Sequence, residues 1–282
     1  MDKKISISAA LGAFDGIHIA HKKVLQNALD MAEKAVCITF KNLPKTKKGG
    51  ILIQSEMKEK MLFEMGFWKV VVFDFDEIKE MSPKEFLDSV REKYGITHFS
   101  CGYNYHFGYL GAGDVNFLQE YCNKNGLGLK VETEILQGED HVSSTVIREY
   151  LKEGKIERAL ELLGHPLEIK SAVVHGEKRG RTIGFPTINQ PLPDTFAYMK
   201  YGVYETSVII GDKEYKAITN LGIRPTFRLN NPICETYIID FEKEIYGEQI
   251  ILRFKRFIRE ERKFNSLNEL RTQLDLDIEK VK

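Results

Sequence analysis

The sequence has no apolar run of the roughly 18 residues that a membrane-crossing helix requires. Its longest apolar stretches, such as the one within Lys69–Asp74, are of strand length. A transmembrane helix is excluded. Cysteine is scarce: Cys37, Cys101, Cys122 and Cys234 are scattered through 282 residues, with no CxxC pair and no histidine at ligand spacing. That argues against a disulfide framework and a structural zinc site, and it fits a reducing compartment. An excess charge is also lacking, because 41 Lys+Arg face 41 Asp+Glu. Bulk charge therefore gives no support to non-specific binding of nucleic acid or a membrane surface, and leaves room only for a local basic cradle. Internal repeats and low-complexity segments are missing as well.

What is present fits a soluble globular chain, with 43% apolar and 29% charged residues. The length predicts two domains. Ile5–Phe14, after Met1-Asp-Lys-Lys4, is interrupted by serines and a glycine and shows no cleavage signal. It is expected to open a cytoplasmic protein as its first strand.

Two halves follow different patterns. From residue 5 a buried strand (5–11), a glycine turn and an amphipathic helix lead into a strand at Val36–Phe40. A lysine-rich loop at Lys41–Gly50 comes next, then helices around Ser55–Met65, after Ser82-Pro83 and near Val115–Asn125. Between them lie strands at Val70–Phe75, Thr97–Cys101 and Leu129–Ile135. Such alternation predicts a parallel sheet covered on both faces, an α/β Rossmann-like domain. Ser143–Leu163 reads as one or two helices interrupted at Glu153-Gly154. Beyond Gly164-His165-Pro166 the pattern changes to strands at Glu168–His175, Gly202–Ile210, Lys213–Asn220, Cys234–Phe241 and Gln249–Arg259, with a hairpin at Gly211-Asp212. A helix opening at Ser266 closes the chain. The expected C-terminal domain is an antiparallel β-barrel with a terminal helix, and the expected division is 1–165 and 166–282.

Chemistry gathers first at Gly12-Ala-Phe-Asp-Gly-Ile-His-Ile-Ala-His21. Gly12 and Gly16 flank Phe14 and Asp15 in the turn, and His18 and His21 share one face at the positive end of the following helix. Two imidazoles beside unpaired N–H groups suit nucleotide phosphates and the charge that develops on an α-phosphate under attack. The plainer reading gives a helix cap and a surface histidine. In Ser143-Ser144-Thr145 the hydroxyls stand at a helix start with Arg148 one turn inside. They suit a pyrophosphate, or a simple cap with a solvated arginine. Together these pieces resemble the nucleotidyltransferase half of bacterial bifunctional riboflavin kinase/FAD synthetases, with their GxFDGxHxGH turn and later SSTxxR.

The second concentration is Val174–Asn189. Gly176, Gly180 and Gly184 free the backbone to approach a ligand, and Lys178, Arg179 and Arg181 supply positive charge. Thr187 and Asn189 alternate, so in an extended chain both oxygens face one side, a neutral pair suited to Mg²⁺ beside phosphates. A basic hairpin is the plain alternative. The whole segment resembles the riboflavin kinase signature, with its PTAN box present as Pro186-Thr-Ile-Asn189. The likeness continues through Ala217–Phe227, Cys234–Asp240 and Tyr246-Gly247, and ends with Phe257–Phe264 and the Ser266–Asp277 helix.

The resemblance implies phosphorylation of riboflavin to FMN and adenylylation of FMN to FAD, with ATP, the flavins and Mg²⁺ as small-molecule partners. It places Glu235 as the general base on the ribityl 5′-hydroxyl, a role for which an acid among apolar strand residues is suited. It implies no nucleic-acid or membrane partner and leaves the oligomeric state open. Three positions depart from the family: Ala20 replaces a glycine, Phe40–Pro44 lacks an acid and a histidine, and Asn104 stands in place of Asp. Two alternatives therefore stand beside the main reading, a monofunctional kinase with a degenerate first domain and a flavin-binding regulator.

Overall fold

The computed structural model describes residues 5–41, 49–176, 180, 184–223 and 232–281. The chain divides into two compact units, one from 1–48 and 55–144, the other from 49–54 and 145–282. In the first unit β1 (Ile7–Leu11), β2 (Lys34–Phe40), β3 (Lys69–Phe73), β4 (His98–Gly102) and β5 (Gly128–Glu132) lie in the order β3-β2-β1-β4-β5. Every neighbouring pair is parallel. Strand order reverses at β1, the switch point where open α/β sheets bind ligands beyond the carboxyl ends of their strands.

Helices α1 (Ile19–Met31), α2 (Ser55–Glu64), α3 (Phe75–Ile78), α4 (Pro83–Tyr94) and α5 (Val115–Asn125) belong to this unit. Their ends follow local chemistry. Ser82 caps α4 and Glu85 returns the bond, Pro83 fills the first helical position, and Gly95 leaves the helix at φ 66°. α1 turns Val24, Leu25 and Ala28 inward. Ser8 and Ser100, fully buried on β1 and β4, stay satisfied by donating to the α1 carbonyls of Ala28 and Val24. Each hydroxyl thus ties the helix to the sheet without leaving a buried donor unmade.

β5 ends at Glu132, short of the expected Ile135. Beyond it Ile135 accepts from the Val142 N–H, and β6 (Leu136–Gln137) and β7 (Asp140–His141) form a small hairpin across Gly138 at φ 65°. Residues 42–48 of the expected Lys41–Gly50 loop lie outside the described residues.

The second unit begins with α6 (Ser144–Glu153) and α7 (Ile156–Leu163), separated at Gly154, φ 81°. Strands β8 (Leu167–Ala172), β9 (Thr187–Pro191), β10 (Gly202–Ile210), β11 (Lys213–Ile223), β12 (Pro232–Ile238) and β13 (Gln249–Arg259) form one antiparallel sheet, ordered β8-β13-β10-β11-β12-β9. The sheet curls until the Val174 N–H donates to Asn189 O at 2.8 Å, bringing the chain after β8 against β9. Its inner face buries Tyr204, Leu221, Cys234 and Phe254 around a ladder of hydroxyls, Thr206–Thr219–Thr236, each step 2.8 Å. Gly211, φ 58°, makes the expected hairpin by pairing Ile210 with Lys213.

The outer face is covered in part by α8 (Leu267–Glu279), where Ile278 and the following Val281 pack on Val203, Ile218 and Phe185. Asp277, fully buried, holds α8 there by accepting from both Nε and Nη2 of Arg259 and from Gln273. Gly49–Gln54 runs along this same unit: the Ile51 N–H donates to Thr195 O at 2.7 Å, and Ile51 O accepts from Ala197 at 2.8 Å.

Candidate functional site

Two constellations form, one in each unit. In the first, β1 runs into a turn that ends at the helix cap His18. Gly12 donates to Ile38 O, and its missing side chain admits the Phe14 ring: a Cβ there would stand 2.9 Å from that ring. Phe14 and Ile17 occupy the left-handed region at φ 47° and 38°. For side chains with a Cβ this costs on the order of 1–3 kcal/mol each, and it persists only where the surroundings hold it.

His18 Nδ1 accepts the His21 N–H at 3.3 Å. With that nitrogen an acceptor, neutral His18 carries its proton on Nε2 and presents a donor. The His18 and His21 rings stack with centroids 3.5 Å apart, and Phe14 meets His21 edge-on at 5.4 Å. Both imidazoles thus stand at the N-terminus of α1, where backbone donors and the positive dipole end favour an anion.

Ser144 joins this turn from far along the chain, its Oγ donating to Asp15 O at 2.9 Å. Ser143 is half-buried beside it in sequence and Thr145 is exposed. Asn104 is exposed just past the carboxyl end of β4, and its carbonyl lies 3.0 Å from His106 Nδ1. Arg148 belongs to the second unit, where its Nε donates to Gly50 O at 2.8 Å.

Sequence reasoning missed Lys58. On α2 it reads as one more polar helix residue, yet it is 5% exposed, and its ammonium donates to Ala13 O (3.2 Å), Thr39 Oγ1 (3.1 Å) and Phe40 O (2.7 Å). Burial pushes its pKa down, opposed chiefly by the charge of Asp15.

In the second unit the register sets Glu235 directly across from Asn189 on one side and Asn220 on the other. Directly paired residues share a face of the sheet, so Asn189, Asn220 and Glu235 stand together on the outer face, with Thr187 two residues along β9. Gly176 lies on the Asn189 amide, and a Cβ there would come within 2.1 Å of Nδ2. Gly180 stands over Phe185 and Thr187, where a Cβ would meet Phe185 O at 2.2 Å and Thr187 Oγ1 at 3.5 Å. Gly184 turns the chain at φ 87° just before Phe185 and Pro186. Lys178, Arg179 and Arg181 lie outside the described residues, as does the Arg224–Phe227 stretch.

Asn189 is 4% exposed, and its Oδ1 finds no hydrogen-bond partner among the described residues. A buried neutral oxygen left without a donor, beside the Thr187 hydroxyl, fits a divalent cation that takes oxygen ligands. A cavity of about 320 Å³ opens beside Thr187, lined also by Pro186, Ile188, Phe241 and Tyr246. His175 stacks on Tyr246 with centroids 4.0 Å apart. Asn220 and Glu261 were also not singled out from the sequence. The Asn220 amide donates to Glu261 at 3.0 Å, placing a second carboxylate near Glu235.

Comparison with known proteins finds a family for each part of the chain. Residues 2–146 match the family model described as FAD synthetase, and residues 163–282 match that described as riboflavin kinase. The bifunctional riboflavin kinase/FMN adenylyltransferase of Bacillus subtilis (strain 168) is 33% identical over 282 residues, covering 95% of this chain and 89% of that protein. Its counterpart in Escherichia coli (strain K12) is 30% identical over 279 residues, with the same coverage. A crystal structure from Streptococcus pneumoniae, described as a macrolide-efflux protein, matches with a TM-score of 0.89 and 28% identity over 100% of this chain and 95% of that one.

Proposed function

The chain belongs to the bifunctional riboflavin kinase/FMN adenylyltransferase family, and from that premise we propose how its residues divide the two reactions. The enzyme phosphorylates riboflavin with ATP to give FMN and adenylylates FMN to give FAD. Matches to both family models support this bifunctional reading over a kinase with a degenerate first domain.

For phosphorylation, Glu235 accepts the proton of the ribityl 5′-hydroxyl as that oxygen attacks the γ-phosphorus and ADP leaves. Thr187 and Asn189 are the neutral oxygens that would hold Mg²⁺, which when bound neutralises charge on the nucleotide phosphates. Gly176 and Gly180 let the backbone lie close to this pair, and the cavity beside Thr187 takes the nucleoside of ATP. The masking of Asn189 by a glycine, with its Oδ1 buried and without a donor among the described residues, carries this assignment.

For adenylylation, a phosphate oxygen of FMN attacks the α-phosphorus of ATP, and pyrophosphate leaves. His18 Nε2–H, His21 and the first N–H groups of α1 hold the charge that develops there. Ser144 fixes the turn by its bond to Asp15 O. Gly12, Gly16, Phe14, Asp15 and Asn104 shape the nucleotide site, and Ser143 serves the pyrophosphate; Thr145 and Arg148, expected beside it, belong to the second unit. We place the activities in 1–165 and 166–282. The four cysteines are all buried and free, which supports a reducing, cytoplasmic setting; no helix among the described residues is long and apolar enough to cross a membrane.

The test is a time course with riboflavin, ATP and Mg²⁺, separating FMN from FAD. FMN should rise first and FAD follow. FMN accumulating without FAD, even when FMN is supplied, would refute the second activity.

A further inference from the structure

We infer that Lys58 is a positioning residue for adenylyl transfer, fixing from beneath the turn that carries the His18/His21 pair. This rests on the reading of that turn as the adenylyl site. A lysine has three donors, and the three contacts of Lys58 use them all: Ala13 O, Thr39 Oγ1 and Phe40 O. None is left for a phosphate, so Lys58 acts through the backbone.

The three acceptors come from two segments. Ala13 follows β1 and directly precedes Phe14, the first residue of the turn at positive φ, while Thr39 and Phe40 end β2. Thr39 adds a donor of its own, its Oγ1 bonding Ala13 O at 2.8 Å. One ammonium therefore clamps the carboxyl ends of β1 and β2, beside the switch point between β1 and β4. It also holds the carbonyl on which the left-handed step at Phe14 hinges. That step aims the Phe14 ring at His21.

Its charge faces Asp15 as well, which is 5% exposed. A buried acid without a cation nearby is unfavourable, and Asp15 sits in the turn between Phe14 and Ile17, the two residues held at positive φ. An apolar residue at position 58 would avoid the desolvation of a buried ammonium. It would also leave Ala13 O to Thr39 alone and remove a positive charge that acts on Asp15. Retaining a buried charge at this place is thus matched to the geometry of the turn.

The experiment uses the full chain. Lys58→Met keeps the stem and removes the ammonium. Its kcat for FAD formation from FMN and ATP should fall roughly 10- to 100-fold, the scale of a small misplacement of reacting groups. The KM for ATP should stay within about twofold, and riboflavin phosphorylation in the same preparation should be unchanged. Thr39→Val should lower kcat less, and the double variant should be no worse than Lys58→Met, as expected for one shared network. Wild-type kcat in Lys58→Met, a loss confined to KM, or losses that multiply in the double variant would overturn the inference. Should Lys58→Met abolish amide-exchange protection in β1 and β2, Thr39→Val decides alone: a lowered kcat at unchanged KM upholds the role, and an unchanged kcat overturns it. A wild-type enzyme that makes no FAD from FMN would instead overturn the adenylyl-site reading on which the role depends.

Discussion

A Cβ on Gly176 would stand 2.1 Å from the side-chain nitrogen of Asn189, so the backbone of one residue closely approaches the amide of the other. Gly176→Ala must therefore displace either the loop or the amide. The riboflavin phosphorylation rate should drop by on the order of 10-fold or more, while FAD formation from supplied FMN stays at the wild-type rate. Steady-state assays of the two reactions on one preparation check this, and an unchanged kinase rate would mean the glycine contact is incidental.

Asn189→Ala and Thr187→Ala should each raise the Mg²⁺ concentration needed for half-maximal phosphorylation. The buried Oδ1 of Asn189 has no other partner among the described residues, so its removal should cost little in stability. A Mg²⁺ titration of the kinase rate reads the effect. Unaltered metal dependence in both variants would place the metal elsewhere.

Much of this arrangement was legible in the sequence, and what was not shares one physical cause. The alternation of strands and helices gave the parallel sheet, and Ser82-Pro83 and Ser266 marked helix starts that the structure keeps. β9 was harder: Thr187–Pro191 holds Asn, Gln and Pro, poor strand formers, and becomes a strand only because β12 pairs with it. The opposition of Glu235 and Asn189 is a matter of register, which local sequence does not contain. Lys58 is the clearest case. Its partners lie 18, 19 and 45 residues away, so a lysine on a helix reads as solvent-facing until the sheet is assembled.

α8 is held by a buried ion pair, and removing one partner leaves the other uncompensated. Asp277→Ala should destabilise the second unit by about 3 kcal/mol, because Arg259 (its side chain only 18% exposed) loses all three of its hydrogen bonds to that carboxylate. Urea denaturation followed by riboflavin phosphorylation would show the shifted midpoint. A loss below about 1 kcal/mol would mean α8 is held by its apolar contacts alone.

Acid should weaken the same unit. The hydrogen bond from Ser207, with Arg253 and Lys255 close by, holds the Glu214 carboxyl below its ordinary value of 4.5. A lowered folded pKa means the folded state releases its proton more readily, so this stabilisation is complete above pH 4.5 and disappears as pH falls through the folded value. The stability difference between wild type and Glu214→Gln should accordingly be present at pH 7 and shrink as pH falls below 4.5, as measured by urea midpoints. A difference independent of pH would assign the effect to packing.

In the proposed division one chain carries two chemistries on separate residues, with Glu235 serving only the first and the His18/His21 pair only the second. The most direct measurement supplies Glu235→Gln and His18→Ala/His21→Ala, in parallel, with either riboflavin or FMN plus ATP and Mg²⁺, and follows both products. Glu235→Gln should make FMN at least roughly 10²-fold more slowly, yet convert supplied FMN to FAD at the wild-type rate. The double histidine variant should accumulate FMN from riboflavin and make no FAD from either substrate. Loss of both reactions in either variant, or wild-type FAD formation by the double histidine variant, would contradict the assignment.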